Sequence, residues 1–551
     1  MLLEVKIEDK QAGAKHLLKN TELQLQRGEV VGFIGRNGVG KTTLARIITG
    51  ADKDFVGSVR LVGGADILTT EQEQHGIEST TTTLDYVMQG LRDYADLTQI
   101  IETYPDEMGD DMAKIELYTN ALERYDELGY YHVRDRIIEA LKAYQLTDEQ
   151  IQGSFARLSG GQKRFAQLVQ VEFSNADLLI LDEPTNHMDY IAKQNFTAWL
   201  KDVRSAVLVI SHDRDVLACV DRIIELKDQR LVSFPGDYTA FLKQNMVAST
   251  SAMHQYEVDV KTLENRREAL RQAEQKKLRS KQSPNPFIPL VRRIQREIAE
   301  LEERMSKPTI WIDQESVATL KRGQGEQYAK YKAKSIRLKD AEGKQASQAA
   351  QLVTVEELSL GFDAPLFEGV EFAVRAGERV QLVGRNGAGK TTFVNALCAV
   401  AAGAPLECQI FSGLIDVSQS LRIGRYEQEI DARFLDQTLG EAISMIYAQA
   451  GRAVNDEAIA RTLSEYLFER TDGQVPVQQL SGGQKARIQL IAMLAARPNL
   501  LILDEPTNHL DLPSIEELER ALQNYSGAVL YISHDSFFAK ALGGEVINIG
   551  A

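Results

Sequence analysis

The chain has 551 residues, 43% of them hydrophobic and 26% charged, enough for two or more domains with their own cores and ordinary for a globular protein. Three cysteines, Cys219, Cys398 and Cys408, lack metal or redox spacing, which excludes a disulfide framework and suits a reducing compartment, while a formal net charge of −16 taken alone argues against a nucleic-acid partner, a reading that the distribution of charge reverses. The N-terminus MLLEVKIEDK has neither the basic start nor the apolar core of a signal peptide. The longest apolar stretch, Ala396–Leu406, is broken by Gly403 and Pro405, short of the roughly 18 residues a spanning helix needs, so a cytoplasmic chain that does not cross a membrane is expected.

In chain order, Glu29–Ile34 reads as a strand, Gly35-Arg-Asn37-Gly38-Val-Gly40-Lys41-Thr42-Thr43 as a phosphate-binding loop, and Thr43–Ile48 as a helix. Glycines let backbone N–H groups converge on phosphate oxygens at a helix N-terminus; Lys41 would reach the β- and γ-phosphates of ATP and Thr42 would ligate Mg²⁺. Glu71-Gln72-Glu73 follows, where Gln72 (with Gln74 as competitor) would reach Mg²⁺ and the attacking water. Met88–Gln150 carries 15 Asp/Glu against 6 Lys/Arg, and Met112, Ile115, Leu117, Ala121, Leu122 and Tyr125 fall at helical spacing. The segment Leu158–Lys163 reads LSGGQK and includes Ser159, Gly160 and Gly161. It is followed by the apolar strand Ala176–Leu181 with Asp182 and Glu183 at its end, then by Ala206–Ile210 with His212 just beyond. Asp182 suits the metal, Glu183 the water, and His212 the γ-phosphate. The contiguous Ser-His-Asp here cannot form a hydrolase triad by adjacency.

The whole set then recurs. Val380–Val383 leads to Gly384-Arg-Asn386-Gly387-Ala-Gly389-Lys390-Thr391-Thr392, followed by Gln428 in a second Glu-Gln-Glu, then Ser481, Gly482 and Gly483 in a second LSGGQK, then Asp504, Glu505 and His534. Ser159 and Ser481, Asp182 and Asp504, and His212 and His534 are each 322 positions apart, whereas Lys41 and Lys390 are 349 apart. The repeat is therefore a whole domain, with additional residues between loop and signature in the first copy. From Gln72 to Ser159 is 87 positions and from Gln428 to Ser481 is 53.

Between the copies, Gln255–Gln282 has a charged helix pattern and Ser283-Pro-Asn-Pro-Phe-Ile-Pro289 breaks it. Leu290–Met305 then resumes a helix with Val291, Ile294, Ile298, Leu301 and Met305 on one face. Lys261–Lys344 holds 21 Lys/Arg against 12 Asp/Glu, so a basic segment sits in an acidic chain, fitting either an element laid on phosphates or a solvated hairpin. Arg279, Lys281, Arg292, Arg293 and Arg296 flank the turn; Lys330–Lys339 is a second candidate run.

These motifs resemble a tandem ATP-binding cassette protein, and DEPTNHMD (Asp182–Asp189), DEPTNHLD (Asp504–Asp511) and Phe234-Pro-Gly-Asp-Tyr-Thr-Ala-Phe241 resemble the ABC-F family in particular. The resemblance implies an α/β fold with two P-loop cassettes (1–243 and 351–551), a long helical linker (244–350) and a helical arm inserted in the first cassette within 88–150. It implies a monomer whose cassettes pack head to tail. One composite site would join Lys41, Thr42, Gln72, Asp182, Glu183 and His212 to Ser481, Gly482 and Gly483. The other would join Lys390, Thr391, Gln428, Asp504, Glu505 and His534 to Ser159, Gly160 and Gly161. Asp189 and Asp511 would lie at the interface, ATP and Mg²⁺ would be the cofactors, and both sites would hydrolyse ATP. Phe362 fits the adenine-stacking position of the second site; the same offset in the first lands on Gly13. Family partners would be the ribosome, with rRNA, ribosomal proteins and P-site tRNA, and a linker directed at the tRNA exit site. A housekeeping translation factor and an antibiotic-resistance ribosome-protection factor share all these motifs. The ATPase component of a membrane transporter and a DNA-repair ATPase are the rivals; the basic linker and the DEPTNH motifs count against the first, and the lack of long coiled coils or zinc modules counts against the second.

Overall fold

Val30–Gly35, Leu178–Asp182, Ala206–Ile210 and Ala528–Ile532 are buried at every residue, as apolar strands must be when a parallel sheet is covered on both faces. A computed structural model describes residues 1–13, 15–70, 81–107, 109, 111–186, 188–279, 287–304, 351–426, 430–466, 468, 470–480, 482–508 and 510–550. Among them, the first cassette holds a six-stranded sheet in the order Ile67–Thr70, Leu178–Asp182, Ala206–Ile210, Val30–Gly35, Arg222–Lys227, Arg230–Pro235. Its strands are parallel except the last, which pairs antiparallel with Arg222–Lys227. The second cassette repeats the order with Ile423–Tyr426, Leu500–Asp504, Ala528–Ile532, Arg379–Val383 and Glu545–Asn548, all parallel.

Each parallel sheet has a three-stranded antiparallel sheet against one face. In the first cassette this is Leu3–Ala12 between Lys15–Leu25 and Val56–Leu61; in the second, Gln351–Gly361 between Pro365–Arg375 and Gln409–Val417. Strand periodicity divides the side chains between two cores. Leu500, Ile502, Ala528 and Leu530 join the antiparallel sheet and the P-loop helix (Val355, Val374, Phe393), while Leu501, Leu503, Val529 and Tyr531 join the helices on the other face (Ile443, Ile491, Leu522). A Leu→Ala change at such a position costs about 2–5 kcal/mol. The apolar run at Ala396–Leu406 is the end of the P-loop helix Lys390–Ala402, stopped by Gly403 in the left-handed region. No helix among the described residues is long and apolar enough to cross a membrane.

The first cassette's extra residues form two helices, Tyr94–Glu107 and Met112–Glu127, packed on each other. A tyrosine cluster holds their base: the rings of Tyr94 and Tyr130 meet edge-on at 5.4 Å, and those of Tyr125 and Tyr130 at 5.5 Å. The stripe read from the sequence is covered only in part: Ala121 is buried, whereas Met112 and Leu117 are exposed.

The chain forms two compact units, Met1–Tyr238 with Ile336–Ala551, which holds both cassettes, and Thr239–Ser335. In the latter, the helix read as starting at Gln255 is continuous from Tyr238 to Arg279, and a second helix spans Ile288–Arg304. Val291, Ile294 and Ile298 bury against Leu263 and Ala273, so the stripe on the returning helix closes a hairpin core. Arg292, Arg293 and Arg296 lie exposed between those apolar positions, and Glu297 pairs with Arg266 at 3.2 Å. Residues 280–286, with most of the proline-rich turn and Lys281, and 305–350, with Met305 and Lys330–Lys339, lie outside the described residues.

Candidate nucleotide sites

The P-loop of each cassette leaves the C-terminal end of a central parallel strand, where such sheets bind ligands, and the strands ending in Asp182 or Asp504 are two places along. Both P-loop helices start at the lysine and are preceded by a glycine in the left-handed region: Gly40 at φ 115° before Lys41–Ile48, and Gly389 at φ 94° before Lys390–Ala402. A Cβ on Gly389 would come within 3.0 Å of the Phe367 ring, so backbone freedom and close approach both require glycine there. The loop then presents N–H groups where phosphate oxygens would sit.

Lys41 Nζ donates to the carbonyls of Gly35 (2.6 Å) and Arg36 (3.3 Å) and lies 3.0 Å from His212 Nε2. Lys390 Nζ donates to Gly384 (2.8 Å) and Arg385 (2.9 Å). Burial lowers both lysines from the ordinary range, opposed by the nearby carboxylates. Thr42 Oγ1 donates to Asp182 Oδ2 at 2.9 Å and Thr391 Oγ1 to Asp504 Oδ2 at 2.8 Å, so a hydroxyl and a carboxylate converge beside each loop. Among the described residues no cluster of three or more His, Cys, Asp or Glu forms a metal cage. One hydroxyl and one carboxylate fit Mg²⁺, which takes few protein ligands and completes its shell with water and phosphate.

Glu183 and Glu505 both adopt φ 46°, a left-handed conformation uncommon outside glycine, held by N–H bonds to Ile210 O (2.8 Å) and Ile532 O (3.0 Å). Each accepts the following histidine's backbone N–H through Oε2 at 3.4 Å, and His534 Nε2 lies 3.2 Å from Glu505 Oε1. Burial pushes Glu183 up to about 8 and Glu505 up to about 7. Burial also drives His212 well below its ordinary value and His534 to about 4, so both imidazoles stay neutral near pH 7. A buried carboxylate with a raised pKa suits a base that takes a proton from water.

Ser159 caps the helix Gly160–Phe173, accepting from Gln162 N while Gln162 Oε1 accepts from Ser159 N. Gly160 has no atom within 4 Å of where a Cβ would stand, so this edge is open for a ligand. Gly482 and Gly483 begin the corresponding helix Gly482–Ala495. Among the described residues Ser159, Gly160 and Gly161 make no hydrogen bond to the second P-loop. The cassettes meet instead through reciprocal aspartates: Asn37 N donates to Asp511 Oδ2 and Asn386 N to Asp189 Oδ2, both at 3.3 Å. A cavity of about 810 Å³ lies between them, lined by Asn37, Glu183 and His212 from one side and Thr391, Asp504, Glu505 and His534 from the other. Gln72, Gln428 and Ser481 lie outside the described residues, as do His187 and His509 of the DEPTNH segments. Phe362 is exposed just past the strand Gln351–Gly361, and Gly13 lies between the first two strands.

Several interface residues escaped the sequence reading. Arg214 pairs across the interface with Glu519 and with Asp535 (3.0 Å), and Lys193 donates to the His534 carbonyl at 2.8 Å. Gln145 Nε2 donates to Asp189 at 2.6 Å, fixing the aspartate that meets Asn386.

The family model described as "ABC transporter" matches residues 18–186 and 367–508. The chain is 29% identical to "Probable ATP-binding protein YbiT" of Escherichia coli O157:H7, covering 98% of this chain and 94% of that protein. It is 27% identical to "ATP-binding protein Uup" of Escherichia coli strain K12, covering 95% and 76%. Among solved structures, "RNase-L Inhibitor" superposes with a TM-score of 0.54 at 18% identity over 99% of this chain and 88% of its own. An archaeal complex titled as "ribosomal stalk protein aP1" with "ribosome recycling factor aABCE1" superposes at 0.54 with 16% identity over 99% and 88%. Two family matches on one chain, each enclosing a P-loop, a signature and an Asp-Glu pair at the end of a buried strand, place this protein in the ABC transporter family as a tandem-cassette ATP hydrolase of ABC-F type.

Proposed function

We propose that this ATPase works on the ribosome from the cytoplasm, with Mg-ATP closing the two cassettes on each other and the linker hairpin directed at RNA near the tRNA exit site. The observation that carries this reading is the linker: its apolar stripe is spent on its own core, leaving Arg292, Arg293 and Arg296 exposed together on one short helix. Exposed arginines on a stiff hairpin suit phosphate contacts whose strength falls with salt. A structural neighbour titled as a ribosome recycling factor agrees with that direction.

At each site, Thr42 with Asp182 and Thr391 with Asp504 would hold Mg²⁺, which when bound neutralises phosphate charge. Gln72 and Gln428 complete the proposed set. Lys41 and Lys390 would exchange their carbonyl contacts for the β- and γ-phosphates, and neutral His212 and His534 would donate to the γ-phosphate. Glu183 and Glu505 would orient the attacking water and accept its proton. Phe362 would stack on adenine at the second site, and the signatures Ser159-Gly160-Gly161 and Ser481-Gly482-Gly483 would close on the opposite cassette's nucleotide. Ser159→Arg is accordingly expected to abolish nucleotide trapping at the Lys390 site and to spare the Lys41 site. Ser481→Arg should do the reverse, as read by site-resolved photolabelling.

Reversing Arg292, Arg293 and Arg296 to Glu tests the assignment. Ribosome co-sedimentation should weaken at least about tenfold, most at low salt, while ATPase activity off the ribosome stays within about twofold. Unchanged ribosome binding and unchanged translation output, in a folded variant, would reduce the hairpin to a spacer.

A further inference from the structure

The two nucleotide sites repeat each other in sequence, but the interface holding their histidine loops does not. His534, Asp535 and Ser536 of the second cassette are gripped by three side chains of the first. Lys193, on the helix Tyr190–Asp202 that follows Asp189, donates to the His534 carbonyl at 2.8 Å. Arg214 pairs with Asp535 at 3.0 Å, and Asp215 accepts from the Ser536 hydroxyl and, at 3.4 Å, from its N–H. Lys193 is itself fixed by Asp213 Oδ2 at 2.9 Å and Asp215 Oδ2 at 2.6 Å, and it is only 5% exposed.

Advancing by the 322-residue repeat, Lys193 corresponds to Ile515, Arg214 to Ser536 and Asp215 to Phe537. The position that would hold the His212 carbonyl in return is an isoleucine, which has no donor. A buried ammonium with two carboxylates and a carbonyl around it is geometrically over-determined, so displacing it shifts whatever it holds. What it holds carries the imidazole that lies 3.2 Å from Glu505.

We infer that Lys193 is a positioning residue for hydrolysis chiefly at the Lys390 site: through the His534 carbonyl, the first cassette sets the histidine of the second, whereas among the described residues no side chain of the second cassette holds the His212 carbonyl, and Lys193 reaches that loop only through the neighbouring Asp213. ATP hydrolysis at the second site is then tied to the docking of the first cassette, whereas the Lys41 site does not depend on this contact. Lys193 lines the cavity between the cassettes, where its ammonium is taken up by Asp213, Asp215 and the His534 carbonyl; its proposed effect runs through His534.

The test is single-turnover hydrolysis of pre-bound ATP by the full chain, which needs no reopening of the cassettes. Each site is isolated by changing the other's glutamate: Glu183→Gln leaves the Lys390 site active and Glu505→Gln leaves the Lys41 site active. Adding Lys193→Met should slow the step at least about tenfold in the first background and less than about twofold in the second. The ATP concentration for half-maximal loading should move less than about twofold in both. Lys193→Gln, which keeps a donor and drops the charge, should recover a substantial part of the lost rate. It also serves as the test should Lys193→Met fail to melt cooperatively. Equal slowing in both backgrounds would make Lys193 a general interface residue and overturn the inference; so would unchanged rates in both, or a loss confined to ATP loading.

Discussion

Replacing Glu183 and Glu505 together by glutamine is expected to lower steady-state ATP turnover at least about 100-fold while leaving ATP binding within a few-fold. Glutamine keeps the volume and one acceptor oxygen for the His212 and His534 N–H groups, so the strained φ 46° turns lose little support. What goes is the carboxylate that takes the proton from water. Burial has pushed these groups up to about 8 and about 7, so in the free enzyme both ionise over a range where ordinary glutamates already have. The sign follows: a base that must be ionised works better as pH rises. Turnover relative to ATP binding should therefore climb from about pH 6 to about pH 9 and then level off, and the double variant should lack the climb. Turnover near the wild-type rate in the double variant would remove both glutamates from the chemistry.

The second large effect is structural. Arg214 is 1% exposed, bridges Glu519 and Asp535 of the opposite cassette, and lies over the Phe537 ring at 5.2 Å. Arg214→Ala would leave two buried carboxylates facing each other without their guanidinium, which costs about 3–5 kcal/mol. The expected result is a clear fall in the melting temperature together with loss of ATP-driven cassette closure. Arg214→Met combined with Glu519→Leu should recover part of the stability, because it replaces the guanidinium and one of the two carboxylates by an apolar pair of similar volume. Asp535 is left intact in that variant since it also caps the helix Ser536–Leu542 through the N–H groups of Phe537 and Phe538. A shift below about 1 kcal/mol for Arg214→Ala would mean the cassettes are held elsewhere.

The contrast between these two predictions shows which parts of the molecule a sequence exposes. The P-loops, the buried strands before Asp182 and Asp504, and the duplicated order of motifs were legible because each is a local pattern: glycine spacing, a continuous apolar run, a helix start. Even there boundaries moved, since both P-loop helices begin at Lys41 and Lys390, so the lysine and threonine lie in the first turn. The arm showed its helix but not its covering. Helical spacing grouped Met112 and Leu117 with Ala121, yet both are exposed, and the tyrosine cluster of Tyr94, Tyr125 and Tyr130 packs the base of the arm. In the linker, the polar stretch after Phe241 hid a helix already running from Tyr238.

Lys193, Arg214 and Glu519 were illegible for a different reason. Arg214 and Glu519 meet across 305 positions, and no local period records such a pairing. A signal did exist in the repeat itself. At three matched positions the copies differ in charge (Lys193 against Ile515, Arg214 against Ser536, Thr197 against Glu519), and Lys193, Arg214 and Glu519 are the ones that contact the opposite cassette. Reading a duplicated chain for its mismatches would have pointed to the interface.

The most direct measurement is co-sedimentation of the Glu183→Gln, Glu505→Gln protein with ribosomes and, separately, with membranes from the same cells, in ATP and in ADP. Unable to discharge ATP, the closed form should pellet with ribosomes in ATP and be released in ADP, with no more in the membrane fraction than the wild type. A protein that follows the membranes, or whose ribosome association is indifferent to the nucleotide, would contradict the account.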